Sequence, residues 1–191
     1  RSLPRVLKYA GYSTALVGKW HLGWKPEYSP TRHGFDYFFG FKSGFIDFYT
    51  HTSPDSPDHD DLFENDSAVQ VDGYMTDLIV DRSARWIEEN SRRPFFIDIA
   101  FNAPHWPYQV PDRPSVARHS ARHLNAFDDS TSTRADYVAM IERVDAGVGR
   151  ILATLERLGL RDNTIVISTN DNGDEGLSGN TRLFKHKLSE V

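Results

Sequence analysis

Three short stretches of this chain hold side chains able to handle charge and protons. "GKWHLGW" at 18–24 places Lys19 and His21 two apart around an indole, "NAPHWP" at 102–107 holds His105, and "NDNG" at 170–173 offers Asp171 and Asn172. A fourth, "RLFKHKLSEV", adds Lys185, His186 and Lys187. Lys19, His21 and His105 together would form a set of donors for an oxyanion, and a histidine could hand a proton to a leaving group. Asp171 and Asn172 present a carboxylate and an amide carbonyl, hard oxygens suited to Ca2+ or Mg2+ rather than to a soft metal. Calcium takes roughly six to eight oxygens, so these two would need ligands from elsewhere. Taken one at a time, each stretch also has an ordinary explanation: a packed loop histidine, a turn-forming Asp-Asn-Gly, a solvated basic run. The acidic run at 55–61 reads as a solvated loop.

The elements that must position these residues follow from periodicity. "LPRVLKYA" spaces Leu3, Val6, Leu7 and Ala10 as a short amphipathic helix that Gly11 would stop, and "YSTALVGKW" reads as a strand. An aromatic, glycine-rich stretch (33–51) leads into the proline-punctuated "SPDSPDHDD", an expected exposed loop. Regular structure resumes near Asp72: Met75, Leu78, Ile79 and Trp86 fit one helical face up to Asn90, and "RRPFFIDIAF" has the composition of a buried strand. Residues 102–132 lack periodicity, and a loop that long inside a domain points to function. Ile141, Val144, Val148, Ile151, Leu155 and Leu158 then recur at helical spacing before Gly159, and "NTIVISTNDNG" reads as a further strand, 164–169. Helices alternating with buried strands predict an α/β fold, a mostly parallel sheet with helices on both faces. In such sheets ligands bind beyond the carboxyl ends of the strands. Lys19/His21, His105 and Asp171/Asn172 each follow a predicted strand end.

The chain has 191 residues, 39% of them hydrophobic, the size of one ordinary domain able to bury roughly 70% of its unfolded surface. No run is long and apolar enough to span a membrane, and no signal-peptide pattern is present. The net charge of −5 argues against a nucleic-acid partner, so an anionic ligand would need a local positive pocket. Cysteine is absent, which removes disulfides and a thiol nucleophile.

The order of motifs resembles the sulfatase family. "GYSTALVGKWHLG" (11–23) is similar to a signature of formylglycine-dependent, arylsulfatase-like sulfatases, and the likeness continues through "GFDYFFG", "PFFIDIAFNAPHWP", "VDAGVGRILATLERLGLRDNTIVISTNDNG" and "KHKLSEV" in order. The resemblance implies an alkaline-phosphatase-like α/β fold and a sulfuric ester hydrolase using a divalent cation, usually Ca2+, with Mg2+ an alternative. It implies that Lys19 contacts the sulfate and holds the nucleophile, that His21 hydrogen-bonds the nucleophile, and that His105 binds sulfate and protonates the leaving oxygen. Asp171 and Asn172 would be metal ligands and Lys185 a sulfate-binding lysine. Ser43 and His51 are further candidate substrate contacts.

One departure matters. The family's nucleophile is a formylglycine made from a Cys/Ser-x-Pro-Ser-Arg motif upstream of Gly-Lys-Trp-His, and this chain has no such motif. "SLPR" at 2–5 lacks the second serine and sits too close to Gly18, so Ser2 is rejected as the nucleophile. The expectation is a single partial catalytic domain over 1–191, lacking the N-terminal nucleophile segment and the C-terminal subdomain, and inactive alone. Its partner would be a small-molecule or glycan sulfate ester. A non-catalytic module binding anions or sulfated glycans, and a phosphatase or phosphodiesterase relative, are the alternatives. The family's usual locations are the periplasm, the cell exterior or the lysosome, and one Asn-x-Ser sequon occurs at Asn65.

Overall fold

A computed structural model describes residues 2–53, 56, 60–111 and 133–171. A short helix, Leu3–Tyr9 (α1), leads into strand Ser13–Lys19 (β1), followed by Tyr37–Phe41 (β2) and a small hairpin of Phe63–Glu64 (β3) and Ser67–Ala68 (β4). Helix Met75–Asn90 (α2), strand Phe95–Ala100 (β5) and helix Arg134–Arg157 (α3) complete the regular elements. The sheet order is β4-β3-β2-β1-β5; β1 runs parallel to both β2 and β5, and the two hairpin pairings are antiparallel. The predicted α/β class with a mostly parallel sheet is the fold observed.

Alternation along β1 divides the core. Ala15 and Val17 face α2 and α3 together with Phe39, Ile79, Val80, Ile87, Met140, Ile151 and Leu155. Leu16 faces the other way, with Phe35, Phe38, Phe96 and Trp20. On that second face the backbone of Arg5 in α1 abuts Gly34, so helices lie on both sides of the sheet. Each fully buried phenylalanine contributes about 1.5–3 kcal/mol of transfer free energy, which makes Phe38, Phe39 and Phe41 of β2 the anchor of the fold.

The helix pair is registered by shape and charge. Gly147 allows the closest approach, since a Cβ there would lie 2.5 Å from Val80 Cγ2. Arg143, Arg150 and Arg157 recur every seven residues on α3 and meet Asp77, Asp81 and Glu88 of α2, Arg143 in a bidentate pair at 2.7 and 2.6 Å. Thr133 and Asp136 form a reciprocal capping box at the start of α3.

Three expectations need correction. Residues 164–169 form no strand: Ile165, Val166 and Ile167 are 89%, 58% and 82% exposed, after a 3-10 turn at Arg161–Asn163. A fully apolar strand requires sheet neighbours for its backbone groups, and among the described residues none lies beside this one. The buried face of α3 is rotated from the predicted one: Tyr137, Met140, Gly147, Ile151, Thr154 and Leu155 are inside, while Ile141 and Val148 are 42% and 37% exposed. The helix is apolar around more than half its circumference, so spacing alone did not choose the side that α2 would cover. The acidic run at 55–61 is not wholly solvated either, because Asp61 is fully buried, held by two backbone N–H groups.

Candidate active site

The parallel strands β5, β1 and β2 end level with one another, Gly18 pairing with both Ala100 and Gly40. The loops that follow therefore start from one edge of the sheet. A Cβ at Gly18 would fall 2.0 Å from the Ala100 carbonyl oxygen, so only glycine lets β1 and β5 run this close.

Beyond β1 the ladder continues for one residue, Trp20 N–H donating to Phe41 O at 2.9 Å. The Trp20 indole turns to the Leu16 face, meets Phe35 edge-on at 6.3 Å and donates from Nε1 to Tyr28 O at 2.8 Å. Trp20 is thus the packed residue between the half-buried Lys19 and the exposed His21, whose φ of +56° turns the chain. The His21 ring lies over Gly44: a Cβ there would be 2.7 Å from His21 Nε2.

The loop after β2 is held by Asp61, whose carboxylate accepts the Lys42 and Ser43 N–H groups at 3.1 and 2.9 Å. Burial raises the Asp61 pKa above the usual carboxylate value, with those two donors opposing the shift. Lys42 is itself buried, its Nζ 3.9 Å from the Phe63 ring centroid, and burial lowers its pKa against the pull of Asp66 and Asp61. Ser43 is fully buried. Next along, Phe45 stacks on His105 at 6.1 Å with an interplanar angle of 5°, and Trp106 meets Phe45 edge-on at 5.2 Å.

His105 sits between two cis prolyl bonds, Ala103–Pro104 and Trp106–Pro107. Its backbone N–H donates to Asn102 O, and its Nδ1 is 2.7 Å from Trp106 O. A carbonyl only accepts, so Nδ1 carries the hydrogen and Nε2 is the nitrogen whose proton can come and go. His21 and His105, from different strand ends, therefore rest on consecutive residues, Gly44 and Phe45, of a third loop.

The other candidates are placed differently. His51 is buried in the stem of this loop, its Nε2 3.1 Å from Gly73 O, and burial lowers its pKa. Its surroundings suit a loop support better than an open substrate contact. Asp171 is exposed at the end of the described residues. Asn172, Lys185, His186 and Lys187 lie outside them. Ser2 sits at the start of α1 with its hydroxyl donating to His33 O at 2.5 Å. Sequence reasoning missed Asp61, Gly44 and Phe45; the only local signal was a carboxylate directly preceding the apolar pair Leu62-Phe63.

The family model for sulfatases matches residues 1–189. The chain belongs to the sulfatase family. It is 36% identical over 185 residues to arylsulfatase J of Mus musculus, covering 93% of this chain and 30% of that protein. It is 32% identical over 182 residues to N-acetylgalactosamine-6-sulfatase of Rattus norvegicus, covering 90% of this chain and 32% of that one. Among solved structures, Ps i-CgsB in complex with k-i-k-neocarrahexaose matches with a TM-score of 0.64 at 29% identity, over 84% of this chain and 37% of that one. The chain thus spans about a third of the length of the relatives it matches.

Sulfatases as a family are metal-dependent and use formylglycine. Asp171 and Asn172 fit such a metal in donor type, both being hard oxygens, but they are a partial set. Among the described residues no group of three or more His, Cys, Asp or Glu is placed to hold a metal ion. No helix among the described residues is long and apolar enough to cross a membrane.

Proposed function

We propose that the protein containing this chain hydrolyses sulfate esters, and that residues 1–191 form part of a single catalytic domain whose nucleophile comes from elsewhere in the polypeptide. The observation that carries this reading is the meeting of His21 and His105 on Gly44 and Phe45, at the edge of the sheet where β1 ends in Lys19. The engagement of Ser2 with His33 O supports its rejection as nucleophile.

Cleaving a sulfate ester builds negative charge on the leaving oxygen and on the sulfuryl oxygens, and fixed positive groups act on that charge as it develops. Lys19 neutralises a sulfuryl oxygen, with Lys185 as a second cation. His105, oriented by Trp106 O through Nδ1, gives the proton on Nε2 to the leaving oxygen. His21 hydrogen-bonds the nucleophile and moves a proton there. Asp171 and Asn172 would hold part of a Ca2+ coordination shell, Mg2+ being the alternative; such an ion, when bound, polarises the sulfuryl oxygens, and formylglycine supplies the attacking oxygen. Ser43 and His51 are assigned supporting positions behind the substrate, on the grounds of their burial. The relative solved with k-i-k-neocarrahexaose favours a glycan sulfate as the substrate class.

The test is sulfate release from an aryl sulfate and from a sulfated oligosaccharide by the full-length protein, before and after Lys19→Ala. Activity that disappears in the variant supports the assignment. Full activity in Lys19→Ala overturns it, and binding of the sulfated oligosaccharide without turnover would point instead to a non-catalytic binding module.

A further inference from the structure

The loop after β2 and the loop after β5 meet in an outer and an inner contact, and Tyr49 Oη in addition donates to Val110 O at 2.7 Å. The outer contact is the Phe45 ring against His105 and Trp106. The inner one is polar and buried: Gln109 Nε2 donates to Asp47 Oδ2 at 2.6 Å, and Phe48 N–H donates to Gln109 Oε1 at 2.6 Å, across about sixty residues of sequence. Asp47 and Gln109 are 7% and 4% exposed. The second Asp47 oxygen accepts the N–H groups of Tyr49 and Thr50 at 2.9 and 2.7 Å, so the same carboxylate shapes its own loop and grips the other.

An aromatic pair contributes only about 1 kcal/mol and leaves the rings free to slide. A buried amide bonded to a carboxylate fixes distance and direction, because any slip leaves a polar group unpaired in a low dielectric. Gln109 lies four residues beyond His105 on the same loop, and Asp47 two beyond Phe45. We propose that Asp47 and Gln109 are positioning residues that hold the His105 imidazole on Phe45, and so at the leaving oxygen of the substrate. The inference rests on the role given to His105 above.

A group that orients the proton donor matters most when the leaving group needs the proton. The experiment compares 4-nitrophenyl sulfate, whose leaving group departs as a stable anion, with an alkyl or sugar sulfate, using the full-length protein. Gln109→Glu sets two carboxylates against each other, and Asp47→Asn sets two NH2 groups against each other. Each single variant is expected to lose about 10²-fold in kcat on the alkyl ester, the low end of what a positioned general acid contributes, and no more than about 3-fold on the nitrophenyl ester. The double variant Asp47→Asn/Gln109→Glu exchanges amide and carboxylate and so restores complementarity. The amide NH2 introduced at position 47 then donates to the carboxylate introduced at position 109, while Phe48 N–H keeps its acceptor, and the alkyl-ester rate is expected to recover. Equal losses on both esters, or a double variant no better than the singles, would overturn the inference. If the charged variants do not fold, Gln109→Met removes the grip without charge and is judged by the same comparison. The His105 Cε1–H resonance, assigned with His105→Gln and displaced by the Phe45 ring current, gives a readout independent of turnover. It should move in each single variant and return in the double, and an unmoved resonance overturns the inference. A wild-type protein that cleaves neither ester overturns the reading of the reaction instead, while the resonance still judges the grip.

Discussion

Gly44 offers the sharpest test of the site geometry, because the substitution Gly44→Ala adds one methyl group and aims it at one side chain. The added Cβ would lie 2.7 Å from His21 Nε2 and 2.8 Å from Cε1, where ordinary contact begins near 3.4 Å. The backbone at Gly44 is not in the left-handed region, so alanine is accepted there, and the imidazole is what must retreat, by about 0.7 Å. His21 is solvent-exposed, so its ring can move without opening the core. On the role proposed for His21 the cost falls on function: a displacement approaching 1 Å in a reacting geometry costs up to about 10²-fold, and a loss of 10- to 100-fold in kcat/KM is expected when the full-length protein is assayed for sulfate-ester cleavage. The melting temperature should stay within about 2 °C, in keeping with a change of less than about 0.5 kcal/mol, because the exposed imidazole yields rather than the core around the buried Gly44. Gly149→Ala, with nothing within 4 Å of its Cβ, is the control and should keep full activity while stabilising α3 by about 0.5–1 kcal/mol. Full activity in Gly44→Ala would refute either the position of the His21 ring or its part in the reaction.

Two further predictions concern stability. Gly147→Ala drives a methyl group to 2.5 Å from Val80 Cγ2, and a β-branched partner has little freedom to yield. The expected overpacking cost of about 1–3 kcal/mol exceeds the roughly 1 kcal/mol gained in helix propensity. Chemical denaturation should show a lower midpoint, and an unchanged or higher one would disprove the close approach of α2 and α3. His51, whose pKa burial lowers from the ordinary 6.5, binds fewer protons folded than unfolded. Its contribution to stability is therefore level at alkaline pH and falls as pH drops through about 6.5 toward the lower folded value. Between pH 8 and pH 5.5 the wild type should lose more unfolding free energy than His51→Gln, and parallel curves would contradict the buried neutral imidazole.

Local periodicity and composition were enough to locate β1, β5, α2 and α3 to within a few residues: the helices show apolar residues at helical spacing, and the strands are short β-rich runs. The rule that parallel strands deliver ligands at their carboxyl ends was likewise enough to bring Lys19, His21 and His105 to one edge. What stayed hidden depends on distant partners. Asp61 looked like one of several loop carboxylates until its two backbone donors, 18 and 19 residues earlier, were seen. Gln109 meets Asp47 across 62 residues, a pairing no window could contain. The face that α3 buries was decided by Gly147 against Val80, an absence of side chain that hydrophobic counting ignores. The apolar run Ile165-Val166-Ile167 has strand composition, yet composition cannot supply the neighbouring strand that would bury it.

The levelling of the three loops has a physical origin in two glycines. A Cβ at Gly18 would strike the Ala100 carbonyl oxygen at 2.0 Å, and a Cβ at Gly40 would strike the Gly18 carbonyl oxygen at 1.9 Å. Each carbonyl therefore occupies the space that the next strand's missing side chain leaves, stepping from β5 to β1 to β2. Contacts this close cannot slide by a residue without placing a real Cβ on a carbonyl, so they lock the register Ala100–Gly18–Gly40 as well as the spacing. The loop bearing His105 leaves β5 next to Ala100, Lys19 follows Gly18 directly, and the loop of Gly44 and Phe45 leaves β2 after Phe41. Catalytic geometry must hold to within about 0.5 Å, a tolerance that strand ends meet more easily than free loops. The glycines that punctuate β1 and β2 thus set the height at which both histidines arrive on their shared platform.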